Sequence, residues 1–62
     1  MVNVYQFTDS EGVAQALFTA HIASVEQDDP DVAESYIRMM TTDIIYKIPK
    51  TLPQVLTEMG AL

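Results

Sequence analysis

The chain has no cysteine, no tryptophan, one histidine and only two glycines. Without cysteine, disulfides and thiolate metal sites are excluded, and the redox compartment of the protein is left open. One histidine, His21, is too few for a histidine-based zinc site within one chain. Two glycines cannot form a glycine-rich loop, which excludes a phosphate-cradling loop and a dinucleotide-binding fingerprint. We therefore expect neither a metal nor another cofactor.

Basic residues are also scarce, with three lysines and arginines against nine aspartates and glutamates and a formal net charge of −6. Residues 1–34 carry seven carboxylates and no basic side chain, whereas residues 35–62 carry three basic and two acidic side chains. A chain with this charge repels phosphate, so we expect no direct binding of nucleic acid and no attachment to a membrane. The acidic half either attracts a basic patch on a partner protein or only keeps the chain soluble.

The length of 62 residues predicts a single domain, 1–62. A domain of this size buries only about 60% of the surface that its unfolded chain exposes. Since disulfides and metals are excluded, tight packing and association with further chains are the remaining sources of stability. Hydrophobic residues make up 48% of the chain, which is high for a protein that must also cover itself with polar groups. We therefore expect a homo-oligomer, or a monomer with an apolar face meant for a partner.

The most apolar stretch, residues 13–25, includes several polar side chains and is too short to span a bilayer. No basic region precedes an apolar run near Met1, so we expect no secretory signal and a cytoplasmic protein. The initial methionine suggests a complete small reading frame.

The N-terminal part of the chain predicts a strand followed by a helix. Residues 2–8 are rich in β-branched and aromatic side chains, as short strands are. Thr8 and Glu11 have the spacing of a capping box, so a first helix is expected from about Asp9 to Glu26. Apolar side chains recur at helical spacing along this segment, which supports the same interpretation.

The middle of the chain predicts a second helix and an ambiguous segment. Asp29 before Pro30 is typical of a helix start, so a helix is expected to begin near Pro30. Residues 41–48 favour a strand because of their β-branched content, with Ile44, Tyr46 and Ile48 facing inward. The alternative is one long helix from Pro30 to about Ile48.

A third helix is expected after Pro49, because Thr51 and Gln54 repeat the capping-box spacing and Gly60 is a natural C-cap. The predicted fold is a small, helix-rich α+β domain of order β-α-α-β-α with a two-stranded sheet. The alternative is an all-α, three-helix domain with an extended N-terminus. A lone two-stranded ribbon is marginally stable. Pairing of strand edges across a dimer would stabilise it, so we again expect an oligomer.

No group of residues in the sequence predicts an enzyme. His21 has no acidic residue three or four positions away that could orient it, so we expect it to be structural or interfacial. The acidic run from Glu26 to Glu34 contains Pro30 and lacks the glycine of a calcium-binding loop. A helix cap and a solvated loop account for this run without a metal.

Two sets of residues are candidates for partner binding. Methionine adapts to irregular surfaces and tyrosine is favoured at interfaces. On a helix, Met39 and Met40 would point about 100° apart, so one of them is expected to face a partner. The predicted partner interface comprises Tyr36, Met39, Met40, Tyr46 and Met59. The predicted acidic steering surface comprises Glu26, Asp28, Asp29, Asp31 and Glu34.

These features together predict a small acidic protein-binding module that acts as an inhibitor, adaptor or regulator of a larger protein. Such short, acidic, cysteine-free chains are common among phage and mobile-element proteins that block host enzymes. One alternative is a nucleic-acid mimic that blocks a DNA- or RNA-binding enzyme, as an anti-CRISPR protein would. Another is a structural subunit of a homo-oligomer. Steep loss of affinity with salt would favour mimicry, whereas an apolar interface predicts a shallow dependence.

Overall fold

The computed structural model describes residues 1–62. Strands account for 39% of the residues and helices for 18%. The predicted helix-rich β-α-α-β-α fold and its all-α alternative are therefore wrong, because the chain is mostly β. The elements in chain order are β1 (Val4–Thr8), β2 (Ala14–Phe18), a 3-10 turn (Thr19–His21), β3 (Ile22–Glu26), β4 (Ser35–Met39), β5 (Ile45–Ile48) and α1 (Leu52–Met59).

The strands form two antiparallel sheets around one core. β1 and β2 make a hairpin, and β3, β4 and β5 make a three-stranded meander with β4 in the centre. On the inner side of the hairpin Tyr5 lies opposite Leu17, and in the meander Ile37 lies opposite Tyr46. The core combines side chains from both sheets and from α1: Tyr5, Phe7, Leu17, Ile37, Ile48, Val55 and Met59.

The predicted first helix is absent because its supposed cap is a hairpin loop. The Asp9 carbonyl accepts from the Gly12 amide at 3.0 Å, and the Asp9 amide donates to the Val13 carbonyl at 2.9 Å. The Asp9 carboxylate accepts from the amides of Glu11 and Val13 at 3.0 and 2.9 Å. Gly12 has φ of 83°, the left-handed conformation that closes three-residue hairpin loops. The chain therefore reverses at residues 9–13 and continues as β2.

The helical spacing of apolar residues in this segment has a different cause. Ile22 and Val25 both pack against the core, three residues apart, although both belong to β3. The pairing register between β3 and β4 shifts between Ile22 and Ser24. A bulge of this kind inserts an extra residue and puts two side chains three apart on the same face. The bulge thus imitates the periodicity of a helix.

The predicted second helix is absent because Pro30 occupies a turn. The Asp29 carbonyl accepts from the Val32 amide at 3.1 Å, and the Asp29 carboxylate accepts from the Asp31 amide at 2.9 Å. Aspartate at the first position and proline at the second position are typical of such turns. β4 follows at residues 35–39.

Two strands, and the helix described next, agree with the predictions from the sequence. β1 lies within the predicted N-terminal strand, and β5 confirms a strand at the end of residues 41–48. Within that segment Ile48 is buried and Tyr46 is half-buried, whereas Ile44, predicted to face inward, is exposed.

The predicted third helix is confirmed as α1. The Thr51 hydroxyl accepts from the Gln54 amide, and the Gln54 side chain accepts from the Thr51 amide, as in a capping box. Gly60 ends the helix in the left-handed conformation, with φ of 78°. None of the helices is long and apolar enough to cross a membrane.

Candidate protein-docking surface

The outward side of the β1–β2 hairpin carries no charged residue. Alternation along the two strands places three side chains of each strand on this side. Val4 lies opposite Phe18, and the Phe18 side chain is among the most exposed large apolar groups, at 61%. We call this face the outer hairpin surface, which comprises Val4, Gln6, Thr8, Ala14, Ala16 and Phe18.

The far edge of β2 has unpaired main-chain groups. The bonds from Asp9 to Val13 and from Thr19 to Asn3 identify the residue pairs whose backbone groups face each other across the hairpin. In an antiparallel ladder such pairs alternate with pairs whose groups point away. The latter include Ala14, Ala16 and Phe18, so three N–H and three C=O groups of β2 face away from β1. β2 pairs with no other strand. The Phe18 carbonyl caps the 3-10 turn that follows, so the outward groups left for a partner are the N–H groups of Ala14, Ala16 and Phe18 and the C=O groups of Ala14 and Ala16.

β1, in contrast, is joined to the rest of the domain next to both of its ends. The Val2 amide donates to the Met59 carbonyl at 2.8 Å, and the Ser10 amide donates to the Lys47 carbonyl at 2.8 Å. The ring of Phe7 in β1 also meets the ring of Tyr46 in β5 edge to face, with centroids 6.1 Å apart. β1 is therefore the inner strand of the hairpin and β2 is the outer one.

The exposed apolar groups continue from the hairpin toward the end of β4. The rings of Phe18 and His21 lie with centroids 5.8 Å apart, and the His21 carbonyl accepts from the Met40 amide at 2.9 Å. The Met40 side chain is 62% exposed. His21 thus lies between Phe18 and the backbone of Met40.

The structure does not bring the five residues of the predicted partner interface onto one surface. Met59 is 3% exposed and belongs to the core, and Met39 and Tyr46 pack against that core. Tyr36 is half-buried on β4, and its hydroxyl donates to Glu34 Oε1 at 2.8 Å. Of the five, Met40 alone is exposed, and its backbone amide bonds to His21, which lies beside Phe18 of the outer hairpin surface.

Sequence reasoning missed the outer hairpin surface, although one signal was available. Residues 12–25 contain no lysine, arginine, aspartate or glutamate. The predicted first helix, from about Asp9 to Glu26, places this uncharged run on a helix instead. In the structure it supplies the whole of β2, and with it one half of an exposed, uncharged surface.

The acidic residues divide into paired and unpaired groups. Each basic side chain forms an ion pair with a glutamate: Arg38 with Glu26 at 3.2 Å, Lys47 with Glu34 at 3.2 Å, and Lys50 with Glu58 at 2.7 Å. Nine carboxylates less three leaves six without a basic partner, which equals the net charge of −6. These six all lie in loops between strands: Asp9, Glu11, Asp28, Asp29, Asp31 and Asp43.

The predicted acidic steering surface is therefore partly neutralised. Two of its members, Glu26 and Glu34, are held by Arg38 and Lys47 on the outward face of the meander. The three aspartates of the β3–β4 loop, residues 28, 29 and 31, have no basic partner, and the Asp29 carboxylate closes the turn at Pro30.

Two carboxylates near these surfaces have a lowered pKa. Backbone donation from Val13, followed by the Gln15 side-chain amide, lowers the pKa of Asp9. The Tyr36 hydroxyl, followed by Lys47, lowers the pKa of Glu34. Both groups stabilise the folded chain in their ionised form.

No three histidine, aspartate or glutamate side chains converge on a position that could hold a metal ion. A separate small cleft of about 140 Å³ lies between β3 and α1, and its apolar lining includes Ile22, Val25 and Leu56. Comparisons with protein-family models, with curated proteins and with solved structures find no match for this chain. The geometry and charge of the surface are therefore the basis from which we infer a function.

Proposed function

We propose that this chain is a small protein-binding module that acts as an adaptor, inhibitor or regulator of a larger protein. It docks through the outer hairpin surface and takes up an extended segment of its partner along the free edge of β2. The observation that carries this proposal is the set of outward backbone groups at this edge: the N–H groups of Ala14, Ala16 and Phe18 and the C=O groups of Ala14 and Ala16. An added strand satisfies such groups by main-chain hydrogen bonding.

The composition of β2 supports this proposal. Proteins usually protect an exposed strand edge with lysine, proline, a bulge or an inward-pointing charge. β2 reads Ala-Gln-Ala-Leu-Phe, and its pairing with β1 is regular over all five residues. An edge without protection is an aggregation hazard unless a partner covers it.

The side chains beside the edge supply an anchor and space. Phe18 is a large exposed aromatic group, and aromatic anchors contribute strongly at protein interfaces. Ala14 and Ala16 are small, and a shallow open depression above the hairpin is lined by these alanines and by Gln6 and Thr8. A partner side chain can therefore lie over the two alanines, next along the strand from Phe18.

The charges support a division of roles in this proposal. The outer hairpin surface has no charge and provides the contact, whereas the six unpaired carboxylates in the loops attract a partner whose binding segment is flanked by basic residues. Such steering raises the association rate more than the affinity. The proposed compartment is the cytoplasm, and no catalytic step is assigned to the chain.

A peptide selection tests the proposal. A displayed library of random peptides is selected against the biotinylated domain, and the affinities of the enriched peptides are measured by fluorescence anisotropy. We expect Ala16→Lys to weaken binding at least about tenfold, because a lysine on the edge strand disfavours an added strand. Thr57→Lys, on the exposed side of α1, makes the same charge change away from the edge and should leave binding unaltered.

Amide hydrogen exchange supplies a second readout. A bound peptide should slow exchange at Ala14, Ala16 and Phe18, whose amides are unpaired in the free domain. A selection that enriches no peptide, peptides that bind Ala16→Lys as tightly as the wild type, or unchanged exchange at these three amides would each contradict strand addition at β2.

A further inference from the structure

The outward backbone groups of β2 favour one direction for an added strand. Ala14 and Ala16 each present a free N–H and a free C=O group, whereas Phe18 presents its N–H group only. In an antiparallel ladder, a residue with both groups free exchanges two hydrogen bonds with the one residue that faces it, and antiparallel pairing is slightly more stable per residue than parallel pairing. An added segment is therefore favoured to run antiparallel to β2, so that it enters beside Phe18 and leaves beside Ala14.

The two ends of β2 differ in charge. The carboxylates of Asp9 and Glu11 lie in the hairpin loop at its start, and neither has a basic partner. At the other end the ring of Phe18 lies beside His21, whose carbonyl accepts from the Met40 amide. No carboxylate belongs to this second group of residues. A basic side chain is therefore attracted to the start of β2 and not to its end.

A cleft beside the hairpin loop has room for that basic side chain. It is lined by Asp9, Ser10, Glu11 and Gln15 on one wall and by residues 44–47 of the β4–β5 loop and β5 on the other. The Gln15 side-chain amide donates to Asp9 Oδ2 at 3.2 Å, which fixes the Asp9 carboxylate beside β2. The Glu11 side chain makes no hydrogen bond or ion pair, and Lys47 on the opposite wall is held by Glu34 at 3.2 Å. The carboxylates of the cleft therefore have no cation of their own.

From this asymmetry we infer that β2 takes up an internal segment of a partner protein that runs antiparallel to β2 and carries arginine or lysine at its carboxyl-terminal end. The inference rests on the proposed function and names the chemistry of the partner at the same site. Partner residues that face Phe18, Ala16 and Ala14 lie on the outer hairpin surface, and the next one, which faces Val13, points to the inner side of the hairpin, as Gln15 does. Neighbouring strands lie about 4.8 Å apart, so a long basic side chain at this position reaches the cleft.

The same geometry sets the rest of the segment. The Phe18 carbonyl caps the 3-10 turn, so the partner residue that faces Phe18 has no acceptor for its N–H group and can be proline. The residues that face Ala16 and Ala14 need their N–H groups, and the open depression over the two alanines accepts larger apolar side chains. A free terminal carboxylate beside the hairpin loop would be repelled by Asp9 and Glu11, which is why the segment is internal.

Two synthetic peptides of equal composition test the inference. The first reads Pro-Thr-Leu-Thr-Val-Arg-Arg and the second reads Arg-Arg-Pro-Thr-Leu-Thr-Val, and both are acetylated and amidated so that neither has a charged terminus. Nuclear magnetic resonance titration of the isotope-labelled domain measures both affinities. At low ionic strength the first peptide should bind at least about threefold more tightly, because its arginines meet the cleft, and this difference should shrink as salt is added.

A matched pair of variants assigns the preference to the cleft. Glu11→Gln should weaken binding of the first peptide about threefold and change the second less, because only the first brings its arginines to this carboxylate. Asp31→Asn removes an equally unpaired charge from the β3–β4 loop, outside the cleft, and should leave the ratio of the two affinities unaltered.

A nitroxide label on the first peptide reports the strand direction. Attached to the amino-terminal end, the label should broaden the amide resonances of Phe18 and His21. Attached to the carboxyl-terminal end, it should broaden those of Glu11 and Gly12. A parallel segment would give the reverse pattern.

The outcomes separate this inference from the proposed function. Equal affinities of the two peptides, no loss in Glu11→Gln, or the reversed broadening pattern would each overturn the inference. If Ala16→Lys still weakened binding of these peptides, strand addition at β2 would stand with a segment of another direction or charge. Binding of neither peptide up to millimolar concentration would overturn the inference as well, whereas library peptides that protect the β2 amides would keep the proposed function.

Discussion

The phenol of Tyr5 in β1 donates a 2.7 Å hydrogen bond to Oε1 of Glu58 in α1, across 53 positions of the chain. The same carboxylate accepts from Lys50 Nζ through both oxygens, at 2.8 and 2.7 Å. Burial, and then the Glu58 carboxylate, raises the pKa of the Tyr5 hydroxyl above its ordinary range. This contact connects the hairpin that carries the docking surface to the helix that closes the core.

Tyr5→Phe should lower the free energy of unfolding by about 1.5 kcal/mol, since it removes one hydrogen bond to a charged acceptor and keeps the buried ring. The Glu58–Lys50 ion pair remains in this variant. Urea unfolding followed by circular dichroism measures the change. Tyr36→Phe, which removes an equivalent bond to Glu34 at the surface, should cost less, and equal losses in the two variants would contradict a special contribution from Tyr5.

Stability should fall on the acid side of neutrality. Lys50, followed by Tyr5, lowers the pKa of Glu58 in the folded chain, so the unfolded chain binds a proton more readily. The resulting stabilisation is complete above the ordinary glutamate pKa of about 4.3 and is lost as pH falls through the lower folded value. Glu58→Gln should therefore flatten the decline of unfolding free energy below about pH 5, measured by urea titrations at several pH values.

Glu11→Gln is the matched control for that pH dependence. It removes the same charge from a side chain that makes no hydrogen bond or ion pair. Its pH profile should keep the slope of the wild type. An unaltered slope in Glu58→Gln would show that the Lys50–Glu58–Tyr5 contact contributes nothing to acid stability.

Gly12→Ala should destabilise the hairpin loop by about 1 kcal/mol, because φ of 83° disfavours a residue with a Cβ. A Cβ at Gly12 would meet no atom within 4 Å, so the cost arises from the backbone alone. Gly12→Asn should cost less, since asparagine tolerates the left-handed conformation. Thermal unfolding measures both variants, and an equal loss in both would contradict the backbone explanation.

Met59→Glu should prevent folding or cost several kcal/mol, because it buries a carboxylate in the core without a partner. Met40→Glu should change stability by no more than about 0.5 kcal/mol, because this side chain is exposed. Circular dichroism and amide exchange distinguish the two variants. A folded Met59→Glu with unchanged stability would contradict the burial of Met59 and support the surface position predicted from the sequence.

Some elements could be predicted because their signals are local. The Thr51–Gln54 capping box and Gly60 bound α1 through hydrogen bonds made within a few residues of the chain. β1 and β5 are dense in β-branched and aromatic residues, and this preference agrees with their final environment. Absence of cysteine and the count of carboxylates likewise needed no structure.

Residues 9–40 were misread because their local signals are compatible with two structures. Asp9 and Asp29 are as well suited to turns as to helix caps. The alanines of β2 have a high intrinsic helix propensity. The bulge in β3 puts Ile22 and Val25, three residues apart, on the same face, as a helix would. Which structure forms is decided by pairing with distant strands, as when β4 buries Ile37 between its neighbours Val25 and Tyr46.

The sequence by itself determined the charge, the exclusion of thiol chemistry and the helix at the C-terminus, because these depend on composition or on contacts a few residues apart. Tertiary structure alone decided that the uncharged run becomes an exposed edge strand, that Met59 is buried and Met40 exposed, and that each basic residue neutralises one glutamate. These features depend on strand register and on side chains brought together from distant positions, and a one-residue change of register would reverse which side chains face the core.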